Sequence, residues 1–335
     1  MKPRLLVVCG PTASGKTDLA LEIAARVNGE IVCADSLTVY RGLDIGSAKP
    51  SPAQLATVPH HLVSIRDPDE TFTAADFRSE SEKAISAIIC RGRRPIVVGG
   101  TGLYIRALLG GLAKAPGENQ ETRKILMERA AREGNLSLFE ELMTVDPASA
   151  GKCHPNNLVR IIRALEVWHV TGTPLSSFHE GHGFTERPYN CLSLYINLPR
   201  PQLYSRIDAR VDAMIEAGLV DEVKSLLAAG VSEGAKGLQA IGYKEVTALL
   251  RGDTDLQTMK SMIRQNTRNL AKRQITWFRK ETDVYHVAYP ENSANIFCIA
   301  EKFFNQGEKP HVQDPLQHSG SVPEPGPQGK GPGHS

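Results

Sequence analysis

At 335 residues, with 41% hydrophobic and 23% charged residues, the chain has the composition of an ordinary globular protein with room for one large core or two smaller ones. Its net charge of +2 supplies no overall field for nucleic acid, so any basic surface has to be local. No apolar run approaches the ~20 residues of a membrane span, and the six cysteines (Cys9, Cys33, Cys90, Cys153, Cys191, Cys298) form no C-x-x-C pair, which argues for reduced thiols in a cytoplasmic protein and against structural zinc.

The first element is an apolar strand, RLLVVCG (4–10). It runs straight into a Gly-rich loop without a small-residue cleavage site, so it is read as a strand and not as a signal segment. The loop GPTASGKT comprises Gly10, Pro11, Thr12, Ala13, Ser14, Gly15, Lys16 and Thr17, and it opens a helical pattern over 16–27. Strand, G-x-x-x-x-G-K-[ST] and helix in this order make a phosphate loop. Its glycines let backbone N–H groups face phosphate oxygens, and the helix start adds its positive end. Lys16 reaches the terminal phosphate, and the Thr17 hydroxyl is placed to hold Mg²⁺.

A second buried strand, EIVCA (30–34), ends in DSLTVYRGLDIGSAKP (35–50), whose polarity follows neither strand nor helix period. Ligands in a parallel sheet collect beyond the carboxyl ends of the strands. Asp35 therefore emerges beside the phosphates if its strand neighbours the first, as a metal ligand, a helix cap or a general base. Arg41 and Lys49 are open between phosphate or backbone contacts and solvated charges. The adjacent His60 and His61 point apart on a strand, so structural or substrate-lining roles are expected of them, not a shared metal. A helix over 74–92 precedes RPIVVGG (94–100) and a strand-to-helix turn, GGTGLYIRALLGG (99–111). Here Thr101 either caps the helix or lines the anion pocket. That strand lacks the terminal acid usual in nucleotide hydrolases, and the chain has neither D-x-x-G nor N-K-x-D. These absences argue against a GTPase, while a small-molecule kinase stays open.

From 113 to 190 the alternation gives way to helical patterns, read as an insertion, before the sheet resumes at CLSLYINL (191–198) and DVYHVAY (283–289). Further helices end with a long one at 255–281. It carries Lys260, Arg264, Arg268, Lys272, Arg273, Arg279 and Lys280 without a sequence-local counter-ion, and is read as a surface for an RNA backbone or a diphosphate. Arg160 and Arg163 lie nearly on one side of the helix in NNLVRIIRALEVWHVTG. The expected fold class is α/β: a P-loop NTPase-like parallel sheet with helices on both faces, split into 1–112 and 191–306 by the insertion. The Gly- and Pro-rich tail, 307–335, is expected to be disordered.

GPTASGKT, DSLTVYRGLDIGSAKP, PHHLVSI followed one residue later by DP, VGGTGLY, HPNNLVRIIRALEV and AIGYKE, in this order, resemble the bacterial tRNA dimethylallyltransferases (tRNA isopentenyltransferases) over residues 4–281. The resemblance implies that the phosphate loop holds the diphosphate of dimethylallyl diphosphate where a kinase relative holds ATP. It implies that Asp35 is the general base, that Ser36, Leu37 and Thr38 line the place of the target adenine, and that Thr101 lies near the reacting centre. It places tRNA contacts at Arg123, at Val159, Arg160, Ile161, Ile162 and Arg163, and at Gln239, Ala240, Ile241, Gly242, Tyr243 and Lys244. Arg273 and Gln274 would touch the donor. The adenine has to swing out of its stacked loop; Tyr40, Arg206 and Trp277 are the stacking candidates. The expected partners are tRNA and dimethylallyl diphosphate, with Mg²⁺, no membrane, and a monomeric enzyme. The rival readings are a P-loop kinase, an AMP isopentenyltransferase and a non-catalytic nucleotide-binding module.

Overall fold

The computed structural model describes residues 2–180 and 184–309. Its centre is a parallel sheet of β1 (Arg4–Cys9), β2 (Gly29–Ala34), β3 (His60–His61), β4 (Arg94–Gly99), β5 (Asn190–Ile196) and β6 (Val284–Val287), in the spatial order β3-β2-β4-β1-β5-β6. Around it, in chain order, lie α1 (Lys16–Val27), α2 (Pro52–Thr57), α3 (Ala74–Cys90), α4 (Gly102–Gly110), α5 (Gln120–Glu133), α6 (Asn135–Val145), α7 (Pro147–Ala150), α8 (Leu158–Thr171) and α9 (Leu175–Glu180). After β5 follow α10 (Arg200–Glu216), α11 (Leu219–Ala228), α12 (Tyr243–Arg251), α13 (Leu256–Phe278) and α14 (Ser293–Gln306).

The strands are short apolar runs because the sheet is covered on both faces. Leu5 and Val7 of β1 pack with Phe77, Ile85, Ile88 and Leu108 on one side. Leu6 and Val8 pack with Leu19, Ile23, Phe303 and Phe304 on the other. Full burial of each such side chain is worth about 1.5–3 kcal/mol, which makes this the main stabilising term. The helices from α5 to α8 share a separate apolar cluster that includes Leu126, Leu138, Leu142, Ile161 and Leu165.

Two elements lie outside the pattern read from the sequence. The two-residue β3 is too short to show alternation, and α14 follows β6, past the helix at which the pattern reading ends. The start of α14 is obscured by YPENSAN, and its cap Asn292 makes no side-chain cap hydrogen bond. β2 is not a direct neighbour of β1, the condition set for Asp35 above: β4 lies between them, and Asp35 still emerges at the same edge of the sheet, in the cleft of the phosphate loop. The tail expected to be disordered lies, beyond Lys309, outside the described residues.

The sheet edge near β3 is tied by a buried carboxylate. The side chain of Glu30 is 4% exposed and accepts from Arg91 Nη2 at 2.6 Å, with His61 Nε2 at 2.7 Å. Burial alone would raise its pKa, but these partners outweigh burial and hold it below the usual value of 4.5. A lowered folded-state pKa contributes stability above the unfolded value, and that stability is lost as pH falls through the folded one. Glu30→Gln is therefore expected to cost on the order of 1–2 kcal/mol at pH 7. The gap in melting temperature between variant and wild type should narrow once pH drops below about 4.5. A constant gap in thermal melts from pH 7 to pH 3 would contradict this.

Candidate active site

β1 lies between β4, beyond which come β2 and β3, and β5, beyond which comes β6, so the chain fills the sheet to one side of β1 and then to the other, and its carboxyl end lies at the kind of reversal where α/β sheets open a crevice. The phosphate loop fills that position. Gly15, at φ 92°, takes a left-handed turn that brings the first turn of α1 to face the crevice. A Cβ there would also sit 3.3 Å from the Tyr289 ring. The loop is fixed from outside by Gln274 of α13. Its Oε1 accepts from the Thr12 amide at 2.8 Å and its Nε2 donates to Gly100 O at 3.0 Å. This one side chain joins the phosphate loop to the turn after β4. Arg206 Nη1 donates to Ser14 O at 3.3 Å, while the buried Ser14 hydroxyl has no protein partner.

Lys16, Thr17, Asp35, Thr38 and Arg210 line one cleft. The same cleft has apolar walls, with Ile31, Cys33 and Val98 from the sheet and Ile207, Val211 and Ile263 from α10 and α13. Asp35 leaves the end of β2, and its Oδ1 accepts from the amides of Leu37 at 2.8 Å and Thr38 at 3.4 Å. Among the described residues its Oδ2 accepts no hydrogen bond, so one oxygen is anchored and the other is open to the cleft. Burial and the neighbouring Arg210 push the Lys16 ammonium down to about 8, with Asp35 opposing the shift. Burial likewise lowers the Arg210 pKa, again against Asp35. Two cations lining one cleft beside a helix N-terminus make an anion site.

No cluster of three or more His, Cys, Asp or Glu able to hold a metal occurs among the described residues. The donor set fits Mg²⁺ in a particular way: one hard hydroxyl, Thr17, with remaining positions left to water and substrate phosphate oxygens.

Arg210 was not anticipated from the sequence, because RIDARVDAMIE reads as an ordinary charged helix. His60 lines the same cleft, with Nδ1 bonded to Val58 O at 2.7 Å and Nε2 buried without a partner. The Thr38 hydroxyl is a second unpartnered buried group there. Lys49 is used internally, donating to Tyr40 O and to Asp44 Oδ1, each at 2.5 Å. Arg41 forms an exposed pair with Asp67 at 2.7 Å. Thr101 is the N-cap residue of α4 but makes no side-chain cap hydrogen bond, and it is not among the residues lining the cleft. Of the stacking candidates, Tyr40 is buried with its hydroxyl on Glu70 O, and Trp277 carries the Arg106 guanidinium 4.4 Å from its ring centroid. Arg206 alone of the three stays exposed.

The structure places the expected RNA contacts unevenly. Ile161 and Ile162 are buried in the core of α5–α8, with their side chains turned away from the surface. Tyr243 is fully buried, with its hydroxyl donating to Glu222 at 2.7 Å, and Gly242 is buried beside it. Arg123 and Arg163 both pair with Glu166, a carboxylate only 1% exposed, at 3.0 and 2.7 Å. By contrast Val159, at 80% exposure, and Arg160 face outward, as do Gln239 and Lys244. The long basic helix is also less free than its sequence suggests. Arg264 pairs with Asp212 and Arg268 with Asp208, each at 2.5 Å, a ladder between α13 and α10. Lys272 and Arg273 are exposed and have no ion-pair partner among the described residues; of the two residues expected at the donor, Gln274 lines the cleft and Arg273 does not.

These pairs decide a salt prediction. Neutralising Lys272 and Arg273 together is expected to reduce the slope of log affinity against log salt for RNA by about 1–2. Neutralising Arg264 and Arg268 should leave that slope almost unchanged while lowering the melting temperature. Equal slope changes from both double variants, measured by filter binding across salt, would contradict the assignment.

Residues 38–281 match the model of a family described as IPP transferase. The chain is 58% identical over 304 residues to a tRNA dimethylallyltransferase 1 of Trichlorobacter lovleyi, covering 91% of this chain and 100% of that one. It is 52% identical to the tRNA dimethylallyltransferase of Geobacter sulfurreducens, over 90% of this chain and 97% of that one. Among solved structures it is similar to the full-length tRNA isopentenylpyrophosphate transferase of Bacillus halodurans, with 38% identity, a TM-score of 0.67 and coverage of 91% and 98%. It is also similar to a eukaryotic dimethylallyltransferase solved acting on tRNA, with 27% identity, a TM-score of 0.79 and coverage of 93% and 81%. A cleft that joins a phosphate loop to an open carboxylate, in a chain alike over nine-tenths of its length to these enzymes, places this protein in the IPP transferase family.

Proposed function

We propose that this enzyme transfers the dimethylallyl group of dimethylallyl diphosphate to N6 of the adenosine beside the anticodon of a tRNA, releasing diphosphate. The observation that carries this reading is the cleft itself, which Asp35 lines together with Lys16, Thr17 and Arg210 and with apolar walls from the sheet, α10 and α13.

The chemistry follows from that arrangement. The N6 lone pair is delocalised into the purine, so the amine is a poor nucleophile. As N6 bonds to the allylic C1, the C1–O bond breaks and its electron pair leaves with the diphosphate. The N6 proton passes to the open oxygen of Asp35, whose other oxygen is held by the Leu37 and Thr38 amides. Charge grows on the leaving oxygens, which Lys16, Arg210 and the first amides of α1 would stabilise; Lys16 Nζ, which in the free chain donates to Pro11 O at 3.3 Å, would turn to them. Mg²⁺ bound through Thr17 and the diphosphate supplies further charge neutralisation when present. No water has to be activated, which suits a β4 that ends in glycine and not in an acid.

For RNA binding we propose the outward Val159 and Arg160 of α8, with Gln239, Lys244, Lys272 and Arg273 on the core. Arg123 and Arg163 act through Glu166, which also takes the Asn119 amide and so shapes the entry to α5. We further propose that residues 113–190 act as an RNA-gripping unit, and that the protein works as a monomer in the cytoplasm. No described helix is long and apolar enough to cross a membrane.

The test is direct: Mg²⁺, dimethylallyl diphosphate labelled in the alkyl group, and unmodified tRNA with adenosine next to the anticodon. Label in the RNA is expected. Label only in added AMP, or ATP turnover without transfer, would favour the isopentenyltransferase of free nucleotides or the kinase instead.

A further inference from the structure

The wall of the cleft formed by residues 46–50 is held by a carboxylate far away in sequence. Glu222, in the first turn of α11, accepts from three consecutive backbone amides: Asp44 at 3.1 Å, Ile45 at 2.8 Å and Gly46 at 3.3 Å. Its fourth donor is the Tyr243 hydroxyl at 2.7 Å. The Tyr243 ring also occupies the space a side chain at residue 46 would need, since a Cβ there would lie 2.5 Å from the ring. The two contacts make one latch: the carboxylate gathers the turn, and the ring accepts only glycine against it.

What the latch holds is informative. Gly46 and Ser47 line the cleft that contains Asp35 and Lys16. Ala48, Lys49 and Pro50 border a second opening with Gly15, Arg206 and Arg210, the mouth through which the phosphate loop is reached. The segment thus borders both openings, beside Asp35 in the one and beside Gly15 and Arg206 in the other, with Lys16 and Arg210 common to both. Asp44 is exposed, so water could satisfy its amide without Glu222. A carboxylate spanning three amides instead fixes one orientation of the whole turn.

We propose that Glu222, supported by Tyr243, is a positioning residue for the transfer, setting the separation between the alkyl donor and the acceptor amine through the 44–50 turn. This rests on the function proposed above. A glutamine at 222 keeps the size but has one acceptor oxygen, and its NH₂ would face backbone N–H groups that it cannot bond. A phenylalanine at 243 keeps the ring against Gly46 and removes one of the four donors.

The experiment uses the full chain with Mg²⁺, labelled dimethylallyl diphosphate and unmodified tRNA. For Glu222→Gln, kcat is expected to fall about 10- to 100-fold, as misplacement of a reacting group does. The donor KM should rise, while RNA affinity by filter binding stays within about twofold, a split that isolates the reacting geometry from RNA capture. Tyr243→Phe should show a smaller fall of the same pattern. Amide hydrogen exchange at residues 44–46 should quicken in both variants, with the phosphate loop unchanged. If Glu222→Gln stays folded and keeps kcat and both KM values within about twofold of wild type, the proposal is overturned. Parallel losses of RNA affinity, melting temperature and kcat would also overturn it, showing a structural prop and nothing more. If wild-type enzyme transfers no label to RNA, the function proposed above fails and not this assignment.

Discussion

Asp35→Asn is expected to cut the rate of transfer to tRNA by about 10²–10⁴-fold, the range for loss of a positioned general base. RNA affinity should change little. Asparagine keeps the anchored oxygen, because its amide oxygen can still accept from Leu37 and Thr38. It loses only the open carboxylate oxygen, so the turn keeps its shape while the proton acceptor disappears. Asp35→Ala removes the anchor as well and should add a loss of stability that the asparagine variant lacks. Single-turnover rates at saturating RNA and donor separate the two effects. If Asp35→Asn loses RNA binding in step with activity, the carboxylate is a scaffold and not a base.

The second large effect is expected at the anion end. Lys16→Met should lower kcat/KM for the donor by about 10²–10³-fold, the scale of losing one preorganised charge at a leaving group. Arg210→Ala should act in the same direction. The two side chains line the same cleft, each with a pKa lowered first by burial, and Arg210 lowers that of Lys16 further. A diphosphate between them offsets both charges, so removing either cation costs donor binding and leaving-group stabilisation together. It also relieves the repulsion on the other cation, so the double variant should lose less than the sum of the two. RNA affinity measured without donor is the control, and it should be unaffected. Strict additivity of the two losses would mean that the cations act at separate sites.

Much of this molecule was legible in its sequence, for physical reasons visible in particular residues. β1, β2, β4 and β5 are buried on both faces, so they announce themselves as apolar runs. The phosphate loop is a local motif, and Asp35 could be placed because it ends a strand of the same sheet. What escaped depends on pairing between distant segments. Arg264 and Arg268 looked unpaired because Asp212 and Asp208 sit on another helix, at the same four-residue spacing and in opposite direction. Glu222 carries no local mark beyond standing beside Asp221 in the first turn of a helix; only the fold brings the 44–46 amides to it. Ile161 and Ile162 lie in a motif stretch with Val159 and Arg160, but helical geometry sends the isoleucines inward and the other two outward. A contiguous run named from resemblance thus mixed core and surface. Nothing local marks Arg210, whose position becomes meaningful only when α10 crosses the mouth of the phosphate loop.

The account turns on the open oxygen of Asp35 meeting the amine of a flipped adenine beside the departing diphosphate. The most direct measurement is a crystal structure of the full chain with Mg²⁺, an unreactive thio-analogue of the donor and an anticodon stem-loop. The account predicts N6 about 2.6–3.2 Å from Asp35 Oδ2, and about 3–3.5 Å from the allylic C1, with the diphosphate on Lys16 and Arg210. An adenine amine held by other groups, with Asp35 turned to metal or to protein alone, would contradict it.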